Sequence, residues 1–195
     1  MKVIFLDIDG VLNGYNKWNT LLYKIIDALN SEKLRLWYKK EITPFGVHER
    51  KVKRLAKIVK ATNAKIVISS SWRIILNNTP YDKLTKNYKR LIDLFIKYDM
   101  DIFDITPSSV DGKRDKEIIT WLSRHEKDVE NFIILDDENT FLEVFHHDER
   151  FIQTSSVKYG EMIRGYNKED TGLKNKHVKR AIRILNRKEN QLWIY

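Results

Sequence analysis

Short runs that are apolar almost throughout alternate along the chain with longer segments in which apolar residues recur at helical spacing. Such short runs are typical of strands buried on both faces, as in parallel sheets. The chain has five of them, at residues 3–6, 66–68, 102–105, 132–135 and 151–153. The longer segments predict amphipathic crossover helices, whose apolar stripes lie within residues 52–59, 84–96, 118–122 and 178–185.

This alternation predicts an α/β fold of three layers, with a mainly parallel sheet between helices. We expect one domain over residues 1–195, because no Pro/Gly/Ser-rich linker interrupts the pattern. Residues 14–47 depart from the alternation, since an aromatic and basic insertion separates the first strand from its helix. The insertion predicts a small helical cap over the carboxyl end of that strand, where ligands bind in such sheets.

The composition of the 195 residues, 42% hydrophobic and 32% charged, is that of an ordinary globular protein. The chain has no cysteine, which excludes disulfides, zinc–thiolate sites and thiol nucleophiles and fits a reducing compartment. The first apolar run is short and ends at Asp7, so it predicts neither a signal segment nor a membrane span. We expect a cytoplasmic protein that has no membrane partner.

The net charge of +9 is unevenly distributed. Residues 14–60 contain twelve Lys/Arg against four Asp/Glu, and residues 158–195 contain ten against four, so the rest of the chain is net acidic. An acidic centre between basic segments suits a metal-dependent site that acts on a polyanion. Solvated helix faces explain such charge equally well, so the charge alone does not decide between the two.

Two pairs of acidic residues follow predicted buried strands. Asp7 and Asp9 come directly after the first strand, where residues at i and i+2 point the same way, and Gly10 allows a tight turn above them. Asp136 and Asp137 follow the strand at residues 132–135 in the same manner. Carboxylates this close repel one another unless they share a cation or a proton. Oxygen ligands from two neighbouring strands suit a hard cation, Mg²⁺ in particular.

Hydroxyl groups follow a third predicted strand, at residues 66–68. Ser69 and Ser70 lie where the other strands have acids, and hydroxyls can hold phosphate oxygens without adding negative charge. Trp72 and Arg73 come next and are candidates for orienting this loop or for contacting the substrate. The sequence therefore predicts a phosphate pocket at this end of the sheet.

Basic residues surround a predicted helix start within residues 110–122. Lys113, Arg114 and Lys116 lie where a cation can bind phosphate beside the positive end of a helix. Any one of these strand-end or helix-end residues has an ordinary structural role, such as a turn or a helix cap. Together, four separate element ends supply the groups that metal-assisted phosphoryl transfer requires.

In this order, the motifs resemble those of the haloacid dehalogenase (HAD) superfamily of phosphohydrolases. They are DxDGV at residues 7–11, a strand ending at Ser69, a basic residue in GKR at 112–114, and the acidic pair at 136–137. The strings LDIDGVLN, ISSSWR, ILDDE and TGLKNKHVKRAIRIL are further similar to the HAD domain of Swiss Army Knife RNA repair proteins. The resemblance implies a Rossmann-like HAD fold and a Mg²⁺-dependent phosphatase.

The resemblance also implies roles for the four acidic residues. Asp7 is the expected nucleophile, which forms an aspartyl-phosphate and so divides phosphoester hydrolysis into two displacements. Asp9 is the expected acid in the first displacement and the expected base in the second. The expected Mg²⁺ ligands are Asp7, Asp9 through its backbone carbonyl, Asp136 and Asp137.

The remaining implied roles concern the charge on the phosphoryl group. Ser69 and one basic residue are expected to meet that charge, and Ser70 is expected to complete the phosphate pocket. The superfamily generally uses lysine as the basic residue. Here the alignment of the motif favours Arg114, with Lys113 adjacent to it.

Three hypotheses follow for the function. Cations interleaved with aromatic residues, as in KWN at 17–19 and RLWYKK at 35–40, are typical of surfaces that bind single-stranded nucleic acid. The first hypothesis is therefore a phosphatase that acts on 3′- or 5′-phosphate ends of RNA or DNA, as in repair. The second is a 5′(3′)-nucleotidase acting on free (deoxy)nucleotides. The third is a non-catalytic nucleic-acid-binding module, against which the complete motifs argue.

Overall fold

The computed structural model describes residues 1–13, 24–41, 46–138, 142–154 and 171–187. Its elements, in chain order, are the strands and helices β1 (Lys2–Leu6), α1 (Glu32–Glu41), α2 (Glu49–Thr62), β2 (Lys65–Ile68), α3 (Arg73–Asn78), a 3-10 turn (Tyr81–Lys83), α4 (Lys86–Lys97), β3 (Ile102–Ile105), α5 (Arg114–Arg124), β4 (Asn131–Asp136), β5 (Phe151–Gln153) and α6 (Asn175–Leu185). All five predicted strands are confirmed.

The five strands form one parallel sheet in the order β3-β2-β1-β4-β5. From β1 the chain runs outward through β2 to β3, and it then crosses back to β4 on the other side of β1. The strand order therefore reverses between β1 and β4. Ligand sites of open α/β sheets lie beyond the carboxyl ends of the strands at such a point.

Successive strand residues point to opposite faces of the sheet, and both faces are covered. Ile4 and Leu6 of β1 pack in one apolar core with residues of α2, α4 and α6. Val3 and Phe5 pack in a second core, on the face covered by α5. Phe5, for example, meets Trp121 of α5 edge to face, with ring centroids 5.3 Å apart. The predicted three-layer α/β architecture is confirmed.

The predicted cap insertion lies partly outside the described residues, which leave out 14–23 and 42–45. Within it, residues 24–28 are helical and α1 follows. Ile26 is buried, whereas Ile25 and Leu29 are exposed. A cap over the site therefore stays a prediction. None of the described helices is long and apolar enough to cross a lipid bilayer.

Candidate active site

The site lies where β1 and β4 end side by side. Leu6 is paired with Leu135 in the sheet, and the backbone N–H of Asp7 donates to the carbonyl of Leu135 over 2.9 Å. This register places Asp7 beside Asp136, the last residue of β4. Both carboxylates are buried. The reversal point of the sheet thus holds two acidic side chains that face each other.

Arg114, the first residue of α5, lies between these two acids. Its Nη1 atom is 3.0 Å from Oδ1 of Asp7 and 2.8 Å from Oδ2 of Asp136. The same nitrogen donates to the backbone carbonyl of Ser69 over 2.7 Å. One guanidinium therefore contacts groups at the ends of β1, β2 and β4.

Arg114 does not fully compensate the charge of the two acids. Burial raises the pKa of Asp7 to about 6, against the opposing effects of Arg114 and of a hydrogen bond from the Ser70 hydroxyl. Burial, together with the neighbouring charge of Asp7, raises the pKa of Asp136 to about 7. A further cation at this point would favour the ionised form of both carboxylates.

The donor set fits a hard divalent cation. Asp7, Asp136 and Asp137 each offer a carboxylate oxygen, and these three oxygens lie within 4.8 Å of one another. Oxygen-only donor sets with carboxylates are those that Mg²⁺ prefers. The carboxylate of Asp9 lies outside this cluster, so a contribution through its backbone carbonyl stays a prediction.

Gly10 gives Asp137 room to join the cluster. Its φ is +68°, in the left-handed region, and a Cβ atom built on it would lie 2.1 Å from Cγ of Asp137. Gly10 is also tied to β5, since the Thr154 hydroxyl donates to its carbonyl over 2.7 Å. The glycine of the first motif is therefore required by the second acidic pair as well as by the turn.

The two serines after β2 have different surroundings. The Ser70 hydroxyl bonds to Asp7, as noted above. Ser69 is 1% exposed, and its hydroxyl has no hydrogen-bond partner among the described residues. Buried polar groups in proteins are nearly always paired, so an unpaired hydroxyl beside Arg114 suits an incoming oxygen ligand.

Asp9 is exposed, and its carboxylate accepts hydrogen bonds from Asn13 and Trp72. Nδ2 of Asn13 donates to Oδ1 of Asp9 over 2.5 Å, and Nε1 of Trp72 donates to Oδ2 over 3.0 Å. Trp72 is buried and lies against Tyr88 of α4, with ring centroids 4.3 Å apart. Both oxygens of the expected acid/base therefore have a fixed donor.

Arg73 and Lys113, two further candidates, form ion pairs with glutamates. Nη2 of Arg73 is 2.6 Å from Oε1 of Glu117, and Nη1 donates to the carbonyl of Ser70 over 3.1 Å. This buried pair ties the loop after β2 to the first turns of α5. Nζ of Lys113 is 3.0 Å from both carboxylate oxygens of Glu143 at the surface. Of the two adjacent basic residues, the structure brings Arg114 to Asp7.

Three residues of the site, Asn13, Glu117 and Thr154, are not predicted from the sequence. Asn13 ends the string LDIDGVLN, and the signal that could identify it is that Asn is a common partner for nearby backbone N–H groups in turns. Glu117 is the buried partner of Arg73, and helical periodicity gives no sign of this role. Thr154 follows the short strand β5, and its backbone N–H donates to the carbonyl of Asp136 over 2.8 Å.

A family model described as the HAD domain in Swiss Army Knife RNA repair proteins matches residues 3–159. The chain belongs to this family. Comparisons with curated proteins and with solved structures gave no match. The matched range includes all four motif positions at Asp7, Ser69, Arg114 and Asp136 and ends before α6. The resemblance seen in the sequence is thereby confirmed.

Membership in this family indicates the general class of reaction at the site. HAD domains of this kind belong to a family of phosphatases, and the geometry at Asp7 is compatible with that class. The sequence predicts an arginine, Arg114, where the superfamily generally has lysine, and this assignment stays a prediction. Nη1 of Arg114 contacts both Asp7 and Asp136, so a cation lies between the two carboxylates.

Proposed function

We propose that the protein is a Mg²⁺-dependent phosphatase that hydrolyses phosphomonoesters at nucleic acid ends through an aspartyl-phosphate. The observation that carries the proposal is the position of Asp7, 3.0 Å from Arg114 and within the acidic cluster with Asp136 and Asp137. A carboxylate nucleophile needs cationic groups beside it, because the approaching phosphate is itself negatively charged. The geometry supplies one such group and a donor set for another.

The reaction proceeds in two displacements. In the first, a carboxylate oxygen of Asp7 bonds to phosphorus, the bond from phosphorus to the leaving oxygen breaks, and Asp9 gives that oxygen a proton. In the second, water attacks the phosphorus of the aspartyl-phosphate and gives a proton to Asp9. Inorganic phosphate leaves, and the Asp7 carboxylate and protonated Asp9 are restored.

The residues around Asp7 stabilise the charge on the transferred group. Arg114 offers its guanidinium, and Ser69 offers a hydroxyl that is unpaired among the described residues. The Ser70 hydroxyl orients Asp7 through the hydrogen bond that it donates. When bound by Asp7, Asp136 and Asp137, Mg²⁺ would neutralise negative charge on the phosphoryl oxygens. The main task of the protein is therefore positioning and electrostatic stabilisation.

The substrate class is inferred from charge and from the family. Helices α2 and α6, which belong to the two basic segments of the sequence, pack against each other on one face of the sheet. Their outer sides expose a set of cations that includes Lys53, Lys57, Lys60, Lys176 and Lys179. We call this set the α2–α6 surface. A nucleic acid strand, which is a polyanion, would bind favourably to this positively charged surface. The family is that of the HAD domain in RNA repair proteins, which supports the same substrate class.

The segment before α6 contacts the turn after β1. The backbone N–H of Leu173 donates to the carbonyl of Val11 over 2.9 Å, four residues after Asp7. The start of the basic helix α6 therefore lies close to the turn that carries Asp9. This placement favours a nucleic acid end over a small phosphoester as the substrate.

The test is phosphate release, with and without Mg²⁺, from 3′-phosphorylated and 5′-phosphorylated RNA and DNA oligonucleotides, free nucleotides and 4-nitrophenyl phosphate. We expect end-phosphorylated strands to show the highest kcat/KM. Asp7→Asn removes the nucleophile while keeping the shape of the side chain, and should lower kcat roughly 10³-fold or more. Asp101→Asn, at an exposed position before β3, is the matched control and should leave kcat unchanged.

Other outcomes have definite meanings. Preference for free nucleotides would replace the proposal with the nucleotidase hypothesis. Turnover that survives Asp7→Asn would remove the aspartyl-phosphate from the mechanism. Oligonucleotide binding without hydrolysis under any divalent cation would favour the binding module.

A further inference from the structure

The exposed carboxylate of Asp9 is held in place by two buried side chains. An exposed aspartate normally exchanges among side-chain rotamers, yet each oxygen of Asp9 accepts a hydrogen bond, from Asn13 at 2.5 Å and from Trp72 at 3.0 Å. Asn13 is 4% exposed and Trp72 is 8% exposed, so both donors are parts of the interior. We call these two residues the Asp9 holder.

Asn13, one member of the holder, is itself fixed by two hydrogen bonds. Oδ1 of Asn13 accepts the backbone N–H of Gly10 over 2.8 Å, which sets the orientation of the amide group. The fully buried Lys51 donates from Nζ to the backbone carbonyl of Asn13 over 2.9 Å. Asn13 thus cannot rotate its amide without losing a hydrogen bond.

The segment before α6 supports the same turn from the other side. Gly172 has a φ of +80°, and a Cβ atom there would lie 2.7 Å from the carbonyl oxygen of Val11 and 2.8 Å from Nζ of Lys51. Close approach of this segment therefore requires glycine. This segment lies beyond the residues matched by the family, so the holder depends on a part of the chain that the family description does not include.

We propose that Asn13 and Trp72 are positioning residues that hold the Asp9 carboxylate where it exchanges a proton with the leaving oxygen. This inference rests on the proposed function, because it assigns Asp9 the acid and base role. In the proposed mechanism neither Asn13 nor Trp72 contacts the reacting atoms, and both act through Asp9. Their effect should therefore depend on how much the leaving group needs a proton.

The test compares a poor and a good leaving group. An alkyl phosphate needs protonation of its leaving oxygen, whereas 4-nitrophenolate leaves readily without it. Trp72→Phe removes the Nε1 donor and keeps an aromatic ring against Tyr88. We expect it to lower kcat/KM, which reports the first displacement, roughly tenfold more for the alkyl phosphate than for 4-nitrophenyl phosphate. Asn13→Ala, which removes the donor to Asp9 together with the acceptor for Gly10 and adds no charge, should act in the same direction.

Trp121→Phe is the matched control. It deletes an indole donor of the same kind, since Nε1 of Trp121 donates to Oδ2 of Asp104 over 2.6 Å, far along the chain from Asp9. We expect it to affect the two substrates equally. In an Asp9→Ala background, Trp72→Phe should have no further selective effect, because the group that it positions is gone.

A second measurement is independent of turnover. The Trp72 indole N–H resonance, assigned by its absence in Trp72→Phe, should shift in Asp9→Ala if the hydrogen bond exists in solution. An unmoved resonance, or equal losses of kcat/KM on both substrates in Trp72→Phe, would overturn the positioning role of the Asp9 holder. Failure of the wild-type protein to hydrolyse any phosphomonoester would instead overturn the proposed function, and the positioning role with it.

Discussion

At the scale of single residues, the site is organised by a shortage of positive charge. Asp7 and Asp136 are buried within reach of one guanidinium, and the pKa of each is raised, to about 6 and about 7, chiefly by burial. Buried acids are costly unless they are paired or coordinate a metal. This arrangement lies where the order of the described strands reverses, which is the expected place for a ligand rather than for a structural ion pair.

Gly10 yields a prediction about cation binding. Gly10→Ala would place a methyl group 2.1 Å from Cγ of Asp137, so Asp137 has to leave its position beside Asp7 and Asp136. We expect the Mg²⁺ affinity to fall by roughly tenfold or more, since one of three carboxylate ligands is displaced. Calorimetric titration of the protein with Mg²⁺ measures this change.

Gly112→Ala is the matched control for that experiment. Gly112 has the same φ of +68°, but a Cβ atom there would meet nothing within 4 Å. Both variants should lose about 1–2 kcal/mol of stability from the left-handed backbone. Only Gly10→Ala should also lose Mg²⁺ affinity, and equal affinities in the two variants would contradict the role given to Asp137.

The sequence predicted those site residues whose position follows from strand geometry. Asp7, Ser69 and Asp136 come at the ends of buried strands, so their convergence follows from a parallel sheet alone. The hydrogen bond between Trp72 and Asp9 joins residues 63 positions apart and depends on two loop conformations, about which periodicity carries no information. The pairing of Arg73 with Glu117 was equally hidden, because a charged residue in an amphipathic helix is ordinarily assigned to the solvated face.

At the scale of elements, α6 shows how a helix end can introduce a pH dependence. His177 is 7% exposed and follows Lys174 at the start of α6, where its Nδ1 atom accepts the backbone N–H of Lys174 over 3.1 Å. Burial, and then the charges of Lys176, Lys174, Arg180 and Arg54, lower the pKa of His177 to about 4. The folded protein therefore holds this histidine in its neutral form.

Because the folded pKa is below the unfolded one, the unfolded state binds more protons between about pH 6.5 and pH 4. The free energy of unfolding should be unaffected by this group above pH 6.5, fall as the pH is lowered toward 4, and level off below that. The total loss is up to roughly 3 kcal/mol. Urea unfolding between pH 4 and pH 8 measures it.

His177→Gln is the appropriate comparison for this measurement. Glutamine at this position can keep the capping contact with the backbone N–H of Lys174, but it does not titrate. Subtracting the two pH profiles cancels the carboxylates that both proteins share. A difference that does not vary with pH would show that protonation of His177 costs the folded state nothing.

At the scale of the whole molecule, the folded unit extends beyond the range that defines the family. The match ends at residue 159, yet α6 packs on α2, β4 and β5. Nδ2 of Asn131, at the start of β4, donates to the carbonyl of Ile184 over 2.8 Å. The apolar stripe of this helix predicts it from the sequence. The helix packs in the core because, without it, the apolar sheet face beside α2 would be exposed to solvent.

A shortened chain tests this boundary. Val178, Ala181, Ile184 and Leu185 of α6 are all buried, and each Val, Ile or Leu among them contributes about 1.5–3 kcal/mol. Their combined loss, roughly 5–9 kcal/mol, is comparable to the whole stability of about 5–15 kcal/mol expected for a domain. We therefore expect a protein ending at residue 159 to lack a cooperative thermal transition, and one ending at residue 187, which keeps every described element, to retain it. A folded and active protein ending at residue 159 would show that α6 is an accessory to the HAD domain, and would also remove the support that Gly172 gives to the Asp9 holder.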